Sequence, residues 1–141
     1  KRKAKEAEKA RKEAEIAAPS ISMQELGYQN SKKAFRGDDL HIEAYLLAEG
    51  KIANVMIELH PESGHLKQGD NFLSLLSWEF DSTYTGKYYG IKNTDFHEHI
   101  EIPLSADTGH YHFHFSVTDM EGNRTTFEDE VHVVDSLTIL K

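Results

Sequence analysis

The sequence predicts an all-β fold for most of the chain, a sandwich of about seven strands, from three observations. From Pro19 onward, short runs alternate apolar and polar residues with the period of two that strands have. Gly, Pro, Asn and Asp separate these runs, and no later segment has the 3.6-residue period of an amphipathic helix. The clearest run is residues 109–119, where Tyr111, Phe113, Phe115 and Val117 fall on one face.

Composition limits the possible functions. The chain has 141 residues, 38% of them hydrophobic, with seven Phe and six Tyr, which is enough for one core. The net charge is -8. This acidic charge argues against a nucleic-acid partner, because a protein that binds nucleic acid needs a basic face. The chain contains no Cys, which excludes thiol catalysis and disulfides and leaves His and carboxylates as the strong metal ligands.

Residues 1–18 differ in composition from the rest and form a separate unit in this prediction. They consist almost entirely of Lys, Arg, Glu and Ala, and pairs such as Glu8 and Lys12 have the helical i, i+4 spacing. The sequence therefore predicts a solvated α-helix or linker over residues 1–18, ended by Pro19, and an immunoglobulin-like sandwich over residues 19–141.

Seven strands are expected in the second unit, at residues 21–26, 40–46, 52–60, 75–84, 94–103, 109–119 and 124–134. Their number and spacing favour a sandwich of the immunoglobulin or fibronectin type. Tyr111, near the start of the sixth strand, has the position of the tyrosine corner of such folds. The predicted inward residues are Leu40, Ile42, Ala44, Leu46, Val55, Ile57, Leu59, Phe96, Ile100, Ile102, Tyr111, Phe113, Phe115, Val117, Phe127, Val131 and Val133.

The alternation that buries these residues places most of the nine His residues on the outer faces. In a fibronectin-type sandwich, strands 52–60, 109–119 and 124–134 are neighbours, which brings several outward histidines to one edge, with Glu58 and Glu130 close by. The predicted metal ligands at this first site are His60, His112, His114 and His132, with His112 at the centre. A second predicted cluster lies on the opposite sheet and contains His41, His97 and His99.

Imidazole with nearby carboxylate suits Zn²⁺ first and Cu²⁺ or Ni²⁺ second, whereas Ca²⁺ and Mg²⁺ prefer all-oxygen ligands. Three other interpretations of the histidines remain open at this stage: solvent-facing residues that bind nothing, a pH sensor, or a contact with a protein partner. Catalytic motifs are lacking, and a zinc hydrolase would have only Glu58 or Glu130 to offer as general base. We therefore expect a binding module and not an enzyme.

Several segments of the sequence resemble those of a known family. They are Asp39-Leu40-His41-Ile42-Glu43-Ala44, Ile57-Glu58-Leu59-His60-Pro61-Glu62, Trp78-Glu79-Phe80-Asp81, residues 93–103 and Gly109-His110-Tyr111-His112-Phe113-His114. They are similar to a family of small Bacteroidetes lipoproteins known only as a domain of unknown function. The resemblance implies an immunoglobulin-like domain in the periplasm or at the cell surface, tethered by a lipid-modified cysteine that this chain lacks.

Two functions follow from these expectations. The first is an envelope protein that captures a transition metal ion, zinc before copper or nickel, and hands it to an outer-membrane transporter or another envelope protein. The alternative is a non-catalytic immunoglobulin-like interaction or adhesion module with no metal. Membrane attachment is expected only through the lipid anchor of the family.

Overall fold

The protein, as a computed structural model, is described over residues 16–62 and 78–135. Within these ranges the chain forms two β-sheets and one short 3₁₀ turn at Tyr28–Asn30. The strands are β1 (Ser20–Leu26), β2 (Lys33–Phe35), β3 (Asp39–Leu47), β4 (Ile52–Pro61), β5 (Phe80–Tyr84), β6 (Asn93–Glu101), β7 (Gly109–Asp119) and β8 (Arg124–Val134). One sheet has the order β1-β3-β6 and the other the order β2-β8-β7-β4-β5.

The predicted all-β, two-sheet architecture is confirmed, with eight strands in the described ranges where about seven were expected. The extra strand, β2, lies between the strands predicted at residues 21–26 and 40–46 and pairs in parallel with the end of β8. At three residues it is too short to show an alternating pattern in the sequence. The strand predicted at residues 75–84 begins only at Phe80, and Trp78 precedes it and packs edge-on against Tyr111, with ring centroids 5.7 Å apart.

The core lies between the sheets, and its composition confirms the predicted side-chain alternation. Every predicted inward residue is buried except Phe127, which is partly buried and packs against the core. Phe96 of β6 and Phe115 of β7 meet edge-to-face across the sandwich, with ring centroids 4.9 Å apart. Because one face of each strand is filled in this way, a slip of one residue would expose the core residues, and the pairing register is strongly specified.

Tyr111 forms the tyrosine corner that the sequence predicted. Its hydroxyl donates a hydrogen bond to the backbone carbonyl of Asp107, at 2.7 Å, and the residue is 1% exposed. Burial, together with the negative charge of Asp107, raises the pKa of Tyr111 to about 12. The phenol therefore stays protonated and donates over the whole neutral range, tying the start of β7 to the preceding loop.

The predicted amino-terminal helix falls mostly outside the described residues, since residues 1–15 are not among them. Residues 16–18 are described and are not helical, so the helix does not extend to Pro19. In this stretch the backbone N–H of Ala17 donates to a carboxylate oxygen of Glu49 at 3.1 Å. Over residues 16–62 and 78–135, no helix has the length and apolar character needed to cross a membrane.

Candidate metal centre

Three imidazoles converge on the outer face of the three-stranded sheet. The antiparallel pairing of β3 with β6 puts His41 directly opposite His99 and Glu43 directly opposite His97. The ring of His41 stacks on His97, with centroids 4.5 Å apart, and lies 4.9 Å from His99. One ring nitrogen from each of the three residues lies within 4.8 Å of the other two. The second cluster predicted from sequence is therefore brought together.

His41 is the most buried of the three and has unusual surroundings. Its Nδ1 lies 3.3 Å from a carboxylate oxygen of Glu25 on β1, and its side chain is 28% exposed. Its Nε2 is buried and has no hydrogen-bond partner among the described residues, and a carboxylate oxygen of Glu43 lies 3.8 Å away. Buried polar nitrogens without partners are uncommon because they lose their contact with water. This nitrogen is thus available to a ligand.

Glu25 reaches His41 because β1 is irregular. The pairing of β1 with β3 shifts between Met23 and Glu25, so that Glu25 lies opposite Glu43 and diagonal to His41. Such a bulge re-aims the side chains that follow it. A carboxylate at Nδ1 favours the tautomer with the proton on Nδ1, which leaves the lone pair of Nε2 free to bind an ion.

Glu98, between the two histidines of β6, faces the other way and is already engaged. Its carboxylate accepts hydrogen bonds from Lys87 at 2.8 Å and from the Tyr88 hydroxyl at 2.5 Å. Burial alone would raise the pKa of Glu98, but the two hydrogen bonds and the positive charge of Lys87 together outweigh burial, and the pKa is lowered. Glu98 therefore remains an anion held by its neighbours on the core side. It does not contribute a ligand to an ion at the three imidazoles.

The chemistry of this cluster matches a transition metal. Zinc binds imidazole nitrogen at about 2.0–2.1 Å, so tetrahedral ligands lie about 3.3 Å apart. The three nitrogens lie within 4.8 Å of one another and would reach that spacing only after side-chain rotation. Three neutral nitrogens leave one position open for water, Glu43 or a ligand from outside. His97 and His99 are exposed, so that position faces solvent.

The first predicted site lies on the outer face of the five-stranded sheet, where its histidines are spread over several strands. His60 pairs in register with His112, and His132 pairs with His110. The rings of His112 and His114 have centroids 6.4 Å apart. Among the described residues, no group of three ligands within 4.8 Å contains His112, His114 or His132. A shared site for these residues with His60 stays a prediction.

Carboxylates accompany the histidines of this face. His110 Nδ1 lies 2.6 Å from Glu130, and His114 Nδ1 lies 3.6 Å from Glu128. Two groups of three ligands lie within 4.8 Å here: Glu58 with His60 and Asp81, and Glu62 with His110 and Glu130. Glu25, Glu62, Glu79 and Asp81 were not among the ligands predicted from the sequence. Alternation around Phe80 places Asp81 outward, but its pairing with Glu58 needs the register of β4 and β5.

The sequence matches the family described as a domain of unknown function (DUF4625) over residues 3–134. This chain belongs to that family. The match covers most of both predicted units of the chain, and it confirms the expected membership in a domain family of unknown function. No curated protein matches the sequence.

Solved structures that match this chain include the following three. The sporulation control protein Spo0M from Bacillus subtilis is 12% identical to this chain, with a TM-score of 0.47. The match covers 84% of this chain and 50% of the Spo0M chain. A family 123 glycoside hydrolase from Clostridium perfringens is 16% identical with a TM-score of 0.48, over 83% of this chain and 27% of its own. This chain thus spans about half and about a quarter of these two proteins.

The third structure is a CARDB domain from Pyrococcus furiosus, in complex with di-metal ions. It is 10% identical to this chain, with a TM-score of 0.37, and the match covers 84% of this chain and 91% of the CARDB chain. At these identities and TM-scores, none of the three proteins indicates what this chain binds or does.

Proposed function

We propose that this protein binds a transition metal ion, Zn²⁺ first and Cu²⁺ or Ni²⁺ second, through His41, His97 and His99. The observation that supports this most is the buried Nε2 of His41, which has no hydrogen-bond partner within residues 16–62 and 78–135 and belongs to a group of three ring nitrogens within 4.8 Å. An ion would satisfy this nitrogen and hold together three rings that otherwise stack on an open sheet. Glu25 would orient His41 through Nδ1.

The surroundings of the site favour capture and transfer of the ion over catalysis. His97 and His99 are exposed, so ligands from a partner can reach a bound ion. We therefore propose a non-enzymatic domain of the immunoglobulin or fibronectin type that sequesters the ion and passes it to an outer-membrane transporter or another envelope protein. A lipid-anchored location in the periplasm or at the cell surface, as the Bacteroidetes resemblance implies, belongs to the same proposal.

Calorimetry of chelator-stripped protein with Zn²⁺ tests the proposal. The His97→Ala/His99→Ala variant loses two of the three nitrogens, and we expect its affinity for this site to fall more than about 100-fold, since loss of an outer-shell partner alone costs about 10–100-fold. The matched control, His112→Ala/His114→Ala, carries the same changes on the other sheet and should bind as the parent does. Thermal melts of both variants without metal check that each is folded.

Two outcomes would contradict the assignment. If only the His112→Ala/His114→Ala variant loses binding, the ion binds on the five-stranded sheet, as the sequence first suggested. If the parent gives no heat of binding up to the millimolar range, the protein is not a zinc-binding module, and the interaction domain without metal is the remaining function.

A further inference from the structure

A second group of ligands lies on the opposite sheet, where two carboxylates face each other across neighbouring strands. Glu58 of β4 and Asp81 of β5 are directly paired in the antiparallel register. Like charges in directly opposed positions destabilise a strand pair. The ion pairs that Lys and Arg form within residues 16–62 and 78–135 involve other carboxylates. Within these ranges, neither Lys nor Arg offsets the charge of these two carboxylates.

His60 lies between these carboxylates, and both of its ring nitrogens face negative charge. Its Nε2 is 3.2 Å from Asp81 and 3.5 Å from Glu58, and its Nδ1 is 3.3 Å from Glu79. A neutral imidazole has one N–H and one lone pair, so it can donate to a carboxylate from only one side. If Nδ1 carries the proton and donates to Glu79, the lone pair of Nε2 points toward two anionic oxygens. A second proton on the ring would resolve this conflict by making both nitrogens donors, and a divalent cation between the three atoms would resolve it without that proton.

We propose that Glu58, His60 and Asp81 form a second metal site, independent of the three-imidazole cluster and different in its ligands. Their ligand atoms lie within 4.8 Å of one another. Side-chain rotation from these positions would bring them to the closer spacing that coordination of one ion requires. Glu79 is a positioning residue that holds the tautomer of His60 from the far side, as outer-shell carboxylates do in metal sites. Two oxygens and one nitrogen suit a divalent ion that accepts carboxylates, with Mn²⁺ as the first-row example, whereas three nitrogens suit zinc, copper or nickel.

The two sites lie on different sheets, so the protein would bind two ions with different preferences. Mn²⁺ separates them, because it binds weakly to sites made only of imidazole and accepts carboxylate oxygen readily. Zn²⁺ enters both kinds of site and is a poor probe for this purpose. The experiment therefore uses Mn²⁺ for the carboxylate site and compares variants that remove one site at a time.

The disappearance of the free Mn²⁺ electron paramagnetic resonance signal on binding measures stoichiometry and affinity. We expect the parent to bind Mn²⁺ at this site, with at least about 100-fold weaker binding of that ion in Glu58→Gln/Asp81→Asn and about 10–100-fold weaker binding in Glu79→Gln. Glu128→Gln removes an exposed carboxylate beside His114 on the same face, and is the matched control that should bind normally. Broadening of backbone amide signals by Mn²⁺ should be strongest in β4 and β5.

The proposal is overturned if the parent binds no Mn²⁺, or if Glu58→Gln/Asp81→Asn binds it as well as the parent does. The result is independent of the function proposed for the other sheet. His97→Ala/His99→Ala should keep its Mn²⁺ binding, and Glu58→Gln/Asp81→Asn should keep Zn²⁺ binding at the three imidazoles. If one of the two proposed sites binds no ion, the other site is still tested by its own measurement.

Discussion

Replacing Tyr111 with Phe tests the tyrosine corner, because it removes one hydroxyl and leaves the ring in place. The hydroxyl donates to the carbonyl of Asp107 at 2.7 Å in a residue that is 1% exposed. Loss of a buried hydrogen bond that leaves its acceptor unpaired costs about 1–3 kcal/mol. At about 4 °C per kcal/mol for a chain of this size, the melting temperature should fall by about 4–12 °C at pH 7.

The same variant should respond differently to alkaline pH. Burial raises the pKa of Tyr111 to about 12 in the folded protein, compared with about 10 in the unfolded chain. Stability from this group is therefore complete below about pH 10 and is lost as pH rises toward 12, at up to about 1.4 kcal/mol per pH unit. Phe has no proton to lose, so the stability difference between the parent and Tyr111→Phe should shrink over this window.

Urea unfolding at pH 8, 10 and 11 measures that difference, and the other tyrosines, common to both proteins, cancel. Tyr45→Phe is the control, because the Tyr45 side chain is exposed on the outer face of β3, where its hydroxyl accepts only a 3.3 Å hydrogen bond from Asn93. This control should change stability by no more than about 0.5 kcal/mol. A difference between Tyr111→Phe and the parent that stays constant or widens with pH would show that the hydroxyl is not a buried donor in the folded state.

Two further predictions concern β7 and its turn. Phe113→Ala should lower the free energy of unfolding in urea by about 3–5 kcal/mol, because it empties a fully buried site. His112→Ala on the outer face should lower it by no more than about 0.5 kcal/mol. Similar losses in both variants would contradict the alternation of β7. Asp119→Ala should cost about 2–4 kcal/mol, because the buried carboxylate of Asp119 accepts hydrogen bonds from the backbone N–H groups of Glu121 and Asn123 at 3.0 and 2.8 Å. Hydrogen exchange should then quicken at these two amides, and unchanged protection would rule out this role of Asp119.

The alternation of side chains was fully determined by sequence, because burying one face of a strand leaves no freedom in which residues point inward. It correctly placed Phe113 in the core and His41, His97 and His112 outside. The neighbouring positions of β4, β7 and β8 also followed from sequence, since the number and spacing of strands favoured one sandwich arrangement. Strand β2 did not, because three residues are too few to display a period.

Only the tertiary structure decided which ligands meet at one point. Alternation assigns a residue to a face, but the distance between two outward residues depends on register, on bulges and on side-chain rotation. The register of β3 with β6 gathers His41, His97 and His99, and the irregularity in the pairing of β1 brings Glu25 beside His41. On the other sheet, pairing spreads the histidines along β7 and its neighbours and joins His60 to carboxylates instead. The sequence ranked the five-stranded sheet first, and the geometry favours the three-stranded one because convergence depends on contacts between strands far apart in the chain.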